Sequence, residues 1–254
     1  MNSTQTMPTA EPFFIPGSKI GCLLVHGFTG TPKEMRMLAD SLAQEKFTIL
    51  AVRLSGHATS PEDMNRTRWN DWIASVEDGL NLLKGCTDQQ VVMGLSMGGI
   101  LSLIAAARFD VKGVISFSTP AALPEDPRLK FLPFFAWLFP RAAKGKPDWQ
   151  NPAASKDHAE YSYYPTRSIL QLKKLLTVMH NDLSRVTVPA FFVQSRGDHS
   201  IPPDSMDTLF ENISSIEKTK LWVENSGHVV IREPDREIIF AAVKQFIERI
   251  TSKR

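Results

Sequence analysis

The segment Gln90-Val91-Val92-Met93-Gly94-Leu95-Ser96-Met97-Gly98-Gly99 decides the reading of this 254-residue chain. It begins as a short apolar run of the kind that is buried in a sheet covered on both faces. It ends by opening a helical pattern that continues through Arg108. Ser96 therefore stands at a strand–turn–helix corner, and the glycines on either side let the backbone turn sharply without a Cβ clash. Such a corner holds the hydroxyl clear of the sheet, with the N-terminus of the following helix facing it. A serine that merely capped the helix would not need a glycine on each side. Ser96 is thus the candidate nucleophile.

Working outward, β-rich apolar runs recur at 20–26, 48–54, 111–118, 188–194 and 219–223, with a short strand near 13–15. Helical patterns fall near 32–45, 69–84, 97–108, 203–213 and 234–252, the last placing Ile239, Val243, Phe246, Ile247 and Ile250 at helical spacing. This alternation predicts an α/β fold: a mostly parallel sheet of six or seven strands with helices on both faces. From Thr119 to Arg185 the pattern is broken by Pro120, Pro124, Pro127, Pro133, Pro140, Pro147, Pro152 and Pro165. The expected organisation is one domain over 1–254 with a small cap insertion at 120–185. The insertion ends in a helix over 168–183 that puts Leu172, Leu175, Leu176, Met179 and Leu183 on one face.

Composition narrows the function classes. Lys+Arg 29 against Asp+Glu 27 gives a net charge of +2 with the signs interspersed, which argues against a nucleic-acid partner. With 43% hydrophobic and 22% charged residues, the chain has material for a sizeable core and does not read as disordered. Cys22 and Cys86 form neither a disulfide framework nor a zinc-binding pattern. Residues 1–12 lack a basic and an apolar leader region, and no stretch approaches 18 uninterrupted apolar residues, so the expected location is cytoplasmic.

A serine hydroxyl is a poor nucleophile at neutral pH and needs a base, itself oriented by a carboxylate. His228, in Asn225-Ser226-Gly227-His228, lies just past the run 219–223, where a loop at a strand's carboxyl end presents an imidazole to the sheet edge. Asp198, in Arg196-Gly197-Asp198-His199, follows the run 188–194 in the same way. Asp204 and Asp207 fall in a helical pattern and read as first-turn dipole partners. His26, His57, His158, His180 and His199 lie upstream of Ser96, inside the insertion, or beside the candidate acid. The loop His26-Gly27-Phe28-Thr29-Gly30 can aim the Phe28 N–H at an oxygen that becomes negative, with the Met97 N–H as second donor.

Taken in order, His-Gly-Phe-Thr-Gly, Gly-Leu-Ser-Met-Gly-Gly, Gly-Asp and Ser-Gly-His resemble the α/β-hydrolase superfamily, more narrowly its small bacterial carboxylesterases and monoacylglycerol lipases. The resemblance maps Ser96, Asp198 and His228 onto the catalytic triad, and Phe28 and Met97 onto the oxyanion hole. Gly56-His57-Ala58 resembles a Gly-His-Gly segment of these enzymes, with Ala58 in place of the second glycine. His57 is assigned a structural contact and no catalytic role.

Phe131, Phe134, Phe135, Trp137 and Phe139 fall within nine residues of the insertion, flanked by Arg128, Lys130, Arg141, Lys144 and Lys146. That cluster reads either as packing of the cap on the sheet or as an acyl-binding surface whose basic rim touches an anionic lipid surface transiently. The function expected is hydrolysis of small apolar acyl esters through an acyl-enzyme on Ser96, with no metal or organic cofactor. A carbon–carbon bond hydrolase, a thioesterase or an acyltransferase on the same triad stays open, as does a non-catalytic small-molecule receptor with this fold. The serine at the elbow counts against haloalkane dehalogenases and epoxide hydrolases, which use an aspartate there.

Overall fold

The computed structural model describes residues 5–124, 132–136 and 138–252. Arg128, Lys130, Phe131 and Trp137, and the side chain of Phe135, lie outside the described residues. In chain order the elements are β1 (Phe13–Ile15), β2 (Ile20–Val25), α1 (Arg36–Gln44), β3 (Thr48–Val52), α2 (Pro61–Asn65), α3 (Trp69–Lys84), β4 (Gln89–Leu95), α4 (Met97–Arg108) and β5 (Gly113–Phe117). There follow α5 (Leu132–Phe135), β6 (Arg141–Ala143), α6 (Pro152–Lys156), β7 (Tyr163–Pro165), α7 (Thr166–Asp182), β8 (Ala190–Ser195), α8 (Ser205–Asn212), β9 (Lys218–Val223) and α9 (Arg236–Thr251).

Successive strand residues point to opposite faces, and here both faces are covered. In β2, Leu23 and Val25 join one apolar cluster with Trp72 and Val76 of α3, Leu101 of α4 and Leu175 of α7. Cys22 and Leu24 join the other, with Leu38 and Leu42 of α1 and Val243, Phe246 and Ile247 of α9. That double burial is why the strands read as continuous apolar runs. Among the described residues, seven of the strands form one sheet in the order β1-β3-β2-β4-β5-β8-β9, and β6 and β7 form a separate pair. All neighbours in the seven-stranded sheet are parallel except β1 and β3.

Several expected boundaries move for local reasons. The helix expected over 32–45 opens as a 3-10 turn, Pro32–Met35, before α1 begins. The strand expected from 188 starts at Ala190, after Pro189, which has no N–H to give the ladder. The chain between β5 and β8 contains α7, over nearly the residues expected for the insertion's helix, and the antiparallel pair β6 and β7, strands short enough to escape periodicity. No helix among the described residues is long and apolar enough to cross a membrane.

The topology places the site. From β2 the chain moves outward to β3, then returns past β2 to β4. The order therefore reverses between β2 and β4, and it is at the carboxyl ends of strands flanking such a reversal that open α/β sheets bind ligands. The loop after β2 carries Phe28, and the turn after β4 carries Ser96.

Candidate active site

Ser96 has φ 55° and ψ −118°, a backbone conformation that an L-residue adopts only under constraint. The constraint is visible around it. The Ser96 N–H donates to the Phe117 carbonyl at the end of β5, 2.8 Å away. A Cβ on Gly94 would collide with the Gly98 backbone, and one on Gly98 with the Val25 carbonyl, so β2, β4 and α4 converge only because both residues are glycine. Ser96 is partly exposed at the mouth of this corner while Met97 behind it is buried.

The loops that carry the candidate acid Asp198 and the candidate base His228 emerge from the adjacent strands β8 and β9. The Asp198 side chain is fully buried, and its Oδ2 lies 2.9 Å from His228 Nδ1. Its Oδ1 accepts the Ser200 N–H at 2.9 Å. With Nδ1 donating to the carboxylate, Nε2 is the lone-pair nitrogen, the form a general base requires. Burial penalises the His228 imidazolium, but the carboxylates of Asp198, Asp148 and Glu34 outweigh it and hold the pKa above the ordinary 6.5. The two loops are also stitched together: Ser195 Oγ accepts the Gly197 N–H at 3.0 Å and donates to the Ser226 carbonyl. Asp235 anchors the base loop through the Asn225 N–H at 2.7 Å and the Ser226 hydroxyl at 3.0 Å.

On the other side of Ser96, the loop after β2 is pinned at several points. The Gly30 N–H closes a turn on the Gly27 carbonyl at 3.2 Å, with Thr29 at φ 62°. The Phe28 ring is held between Tyr164, Trp72 and His57, with ring centroids 5.7, 6.1 and 6.4 Å away. Gly27 lies close to Ser96: a Cβ there would stand 3.5 Å from Ser96 Cβ.

Two upstream histidines hold loops rather than protons. His26 Nδ1 donates to the Gly27 carbonyl at 2.9 Å, and its Nε2 accepts the Leu54 N–H at 3.1 Å. Burial pushes its pKa down to about 4. His57 contacts the Ser55 carbonyl through Nδ1 at 3.1 Å, and burial together with neighbouring His26 drives its pKa well below 6.5. Ala58, the departure from Gly-His-Gly, sits at φ 56°, a left-handed position that favours glycine.

The structure adds groups that local patterns did not mark. Glu34 is buried and accepts the Gly27 N–H at 2.8 Å; burial raises its pKa against the opposing charge of His158, whose Nε2 lies 3.5 Å away. Tyr161 ties the insertion to two loops, its N–H donating to Thr29 and its hydroxyl to the Gly56 carbonyl. Asp148 accepts the backbone N–H groups of both His199 and His228. Arg232, a cation with no counterpart in the sequence reading, is 1% exposed and paired with Asp157 at 2.9 Å. Among the described residues, no group of three or more His, Cys, Asp or Glu is placed to hold a metal ion.

A family model described as the alpha/beta hydrolase family matches residues 22–239, from β2 into α9. The chain belongs to that family. This hydrolase is 37% identical over 242 residues to a thermostable monoacylglycerol lipase from Bacillus sp. (strain H-257), covering 94% of this chain and 95% of that protein. It is 28% identical over 244 residues to a carboxylesterase from Bacillus subtilis (strain 168), covering 95% and 98%. Among solved structures, one described under LipS and LipT, two metagenome-derived lipolytic enzymes, superposes with a TM-score of 0.90 at 34% identity over 96% of this chain and 100% of that one.

Proposed function

We propose that this hydrolase cleaves carboxylic esters with apolar acyl groups through an acyl-enzyme on Ser96. The observation that carries the reading is the Nδ1–H of His228 directed at the fully buried Asp198 carboxylate, at the same sheet edge as the constrained Ser96 corner. In the first step Ser96 Oγ attacks the acyl carbon as His228 Nε2 takes its proton. The N–H groups of Phe28 and Met97 hold the oxyanion, each such donor lowering the barrier by about 3 kcal/mol. The C–O bond to the alcohol then breaks, and His228 returns the proton to the leaving oxygen. Water, deprotonated by the same imidazole, attacks the acyl-enzyme, and collapse releases the carboxylic acid and restores the Ser96 hydroxyl. The names of the Bacillus relatives, one a monoacylglycerol lipase and one a carboxylesterase, place glycerol and simple alkyl esters first among the substrates to try.

Residues 120–185 serve, in this reading, as a cap over the site within a single domain, with Tyr161 and Tyr164 seated on the loop that carries Phe28. Phe134, Leu138 and Phe139 are 79%, 68% and 63% exposed and precede the exposed Arg141, whose guanidinium lies 3.8 Å from Glu62; we propose this apolar surface for transient contact with anionic lipid. Cosedimentation with anionic vesicles but not with zwitterionic ones is the expected outcome; equal recovery without vesicles would remove that contact. The free thiols of Cys22 and Cys86 fit a reducing, cytoplasmic setting.

The test of the activity is hydrolysis of p-nitrophenyl esters from acetate to palmitate, and of monoacylglycerols, by wild type and Ser96→Ala. Turnover by wild type that is lost in Ser96→Ala is expected. No turnover of any ester by wild type, with no labelling of Ser96 by a fluorophosphonate, would instead favour a binding protein on this fold.

A further inference from the structure

The acid and base of the site sit on loops from different strands, and the carboxylate that binds both loops comes from the insertion. Asp148 Oδ2 accepts the N–H of His199, the residue after Asp198, at 3.0 Å. Asp148 Oδ1 accepts the N–H of His228 itself at 3.1 Å. The fit around it is tight: a Cβ on Gly227 would collide with the Asp148 main-chain carbonyl. Just beyond, the Gln150 N–H is shared by the two Glu233 carboxylate oxygens at 3.2 and 3.1 Å, and Asn151 Nδ2 donates to the Arg232 carbonyl at 2.9 Å. Asp148 is therefore bonded to both the acid and the base loop, and Gln150 and Asn151 to residues 232–233 just past the base loop, while residues 145–147, leading into them, are exposed.

We propose that Asp148 is a positioning residue that locks the Asp198 loop to the His228 loop, so that seating of the insertion is a condition for a working acid–base pair. The proposal rests on the triad reading above. The Ser195 bridge to Ser226 ties the two loops where they leave their strands, but nearer the reacting groups the Asp198–His228 side-chain bond is the link between them described so far. A carboxylate that accepts from both backbones adds two charge-assisted bonds and makes the arrangement rigid. Reactive geometry is sensitive to such support, because a displacement of about 1 Å can cost about a hundredfold in rate. The charge acts as well: the groups bearing on the His228 imidazole are Asp148 from the insertion, Asp198 from the loop after β8 and Glu34 from the turn after β2. Asp148 is thus one of three carboxylates favouring the imidazolium that forms as Ser96 loses its proton.

The experiment measures kcat, KM and the pH dependence of kcat/KM on a soluble p-nitrophenyl ester for wild type, Asp148→Asn, Asp148→Ala, His228→Ala and Ser96→Ala, with thermal unfolding of each. Asp148→Asn removes the charge and keeps one acceptor oxygen; its acidic limb is expected to move to lower pH by about half a unit. Asp148→Ala removes both bonds as well, and its kcat is expected to fall at least about tenfold with KM within about twofold. A residue that merely braced the insertion would leave the acidic limb where it is in wild type. The proposal is overturned if Asp148→Asn and Asp148→Ala keep wild-type kcat and limb position while His228→Ala and Ser96→Ala are inactive. If His228→Ala retains wild-type turnover, the triad reading fails and the lock fails with it. Should Asp148→Ala not fold, the limb position of Asp148→Asn decides.

Discussion

Replacing Ser96 by glycine should make the protein more stable than replacing it by alanine, although both changes remove the proposed nucleophile. The two variants differ in a single methyl group at a position with φ 55° and ψ −118°. Alanine keeps the Cβ that makes this conformation costly; glycine does not. The corner cannot relax to accommodate alanine, because the Gly94, Gly98 and Val25 backbones are already in contact and the Ser96 N–H is bonded to Phe117 at 2.8 Å. Constrained backbone of this kind costs about 1–3 kcal/mol. Glycine gives back about 0.5–1 kcal/mol through the greater freedom of the unfolded chain. The difference left is about 1 kcal/mol, which for a chain of this size corresponds to about 2–4 °C in Tm. Scanning calorimetry of the two purified variants in one buffer reads it directly. Equal melting temperatures, or a lower one for Ser96→Gly, would refute the argument that the corner is held under strain.

Three further outcomes follow from the site. His228 must be neutral to act, and its carboxylate neighbours raise its pKa above 6.5, so kcat/KM should fall with decreasing pH through a midpoint above 6.5; a pH–rate profile with its acidic midpoint below 6 contradicts this. Asp198→Asn should reduce kcat by about 10³–10⁴-fold by removing the acceptor that fixes the His228 tautomer, and a loss under tenfold in steady-state kinetics would show that the tautomer does not depend on it. His26 is buried with its pKa lowered from 6.5 to about 4, so between these values the unfolded chain takes up a proton that the folded chain refuses. Stability present above pH 6.5 should therefore decline as the pH falls toward 4, by about 3 kcal/mol from this group, with His57 acting in the same direction. Urea titrations at pH 7 and 4.5 giving the same unfolding free energy would exclude it.

The parts of this fold that repeat locally were legible in the sequence. β4, the Ser96 corner and α4 could be read because a doubly covered strand is continuously apolar and a tight corner needs glycine at Gly94 and Gly98. α3 and α4 occupy the residues expected of them, since their periodicity runs without interruption. β6, β7 and α6 escaped because elements of three to five residues carry no usable period. Asp148 and Glu34 escaped for another reason. Asp148 reaches His199 and His228 across 51 and 80 residues of chain, and nothing in its Pro- and Gly-containing surroundings distinguishes it from a solvated loop aspartate. Glu34 looks like an acidic residue in a first helical turn, and only the folded chain turns its carboxylate under the Gly27 N–H.

The central claim is a covalent one, and intact-protein mass spectrometry tests it most directly. Wild type incubated with a fluorophosphonate should gain one adduct, mapped by peptide fragmentation to Ser96, in parallel with loss of p-nitrophenyl ester hydrolysis. Ser96→Ala should gain none and His228→Ala should react far more slowly. An adduct on another residue, or ester turnover that persists in Ser96→Ala, would contradict the assignment of Ser96 as the nucleophile.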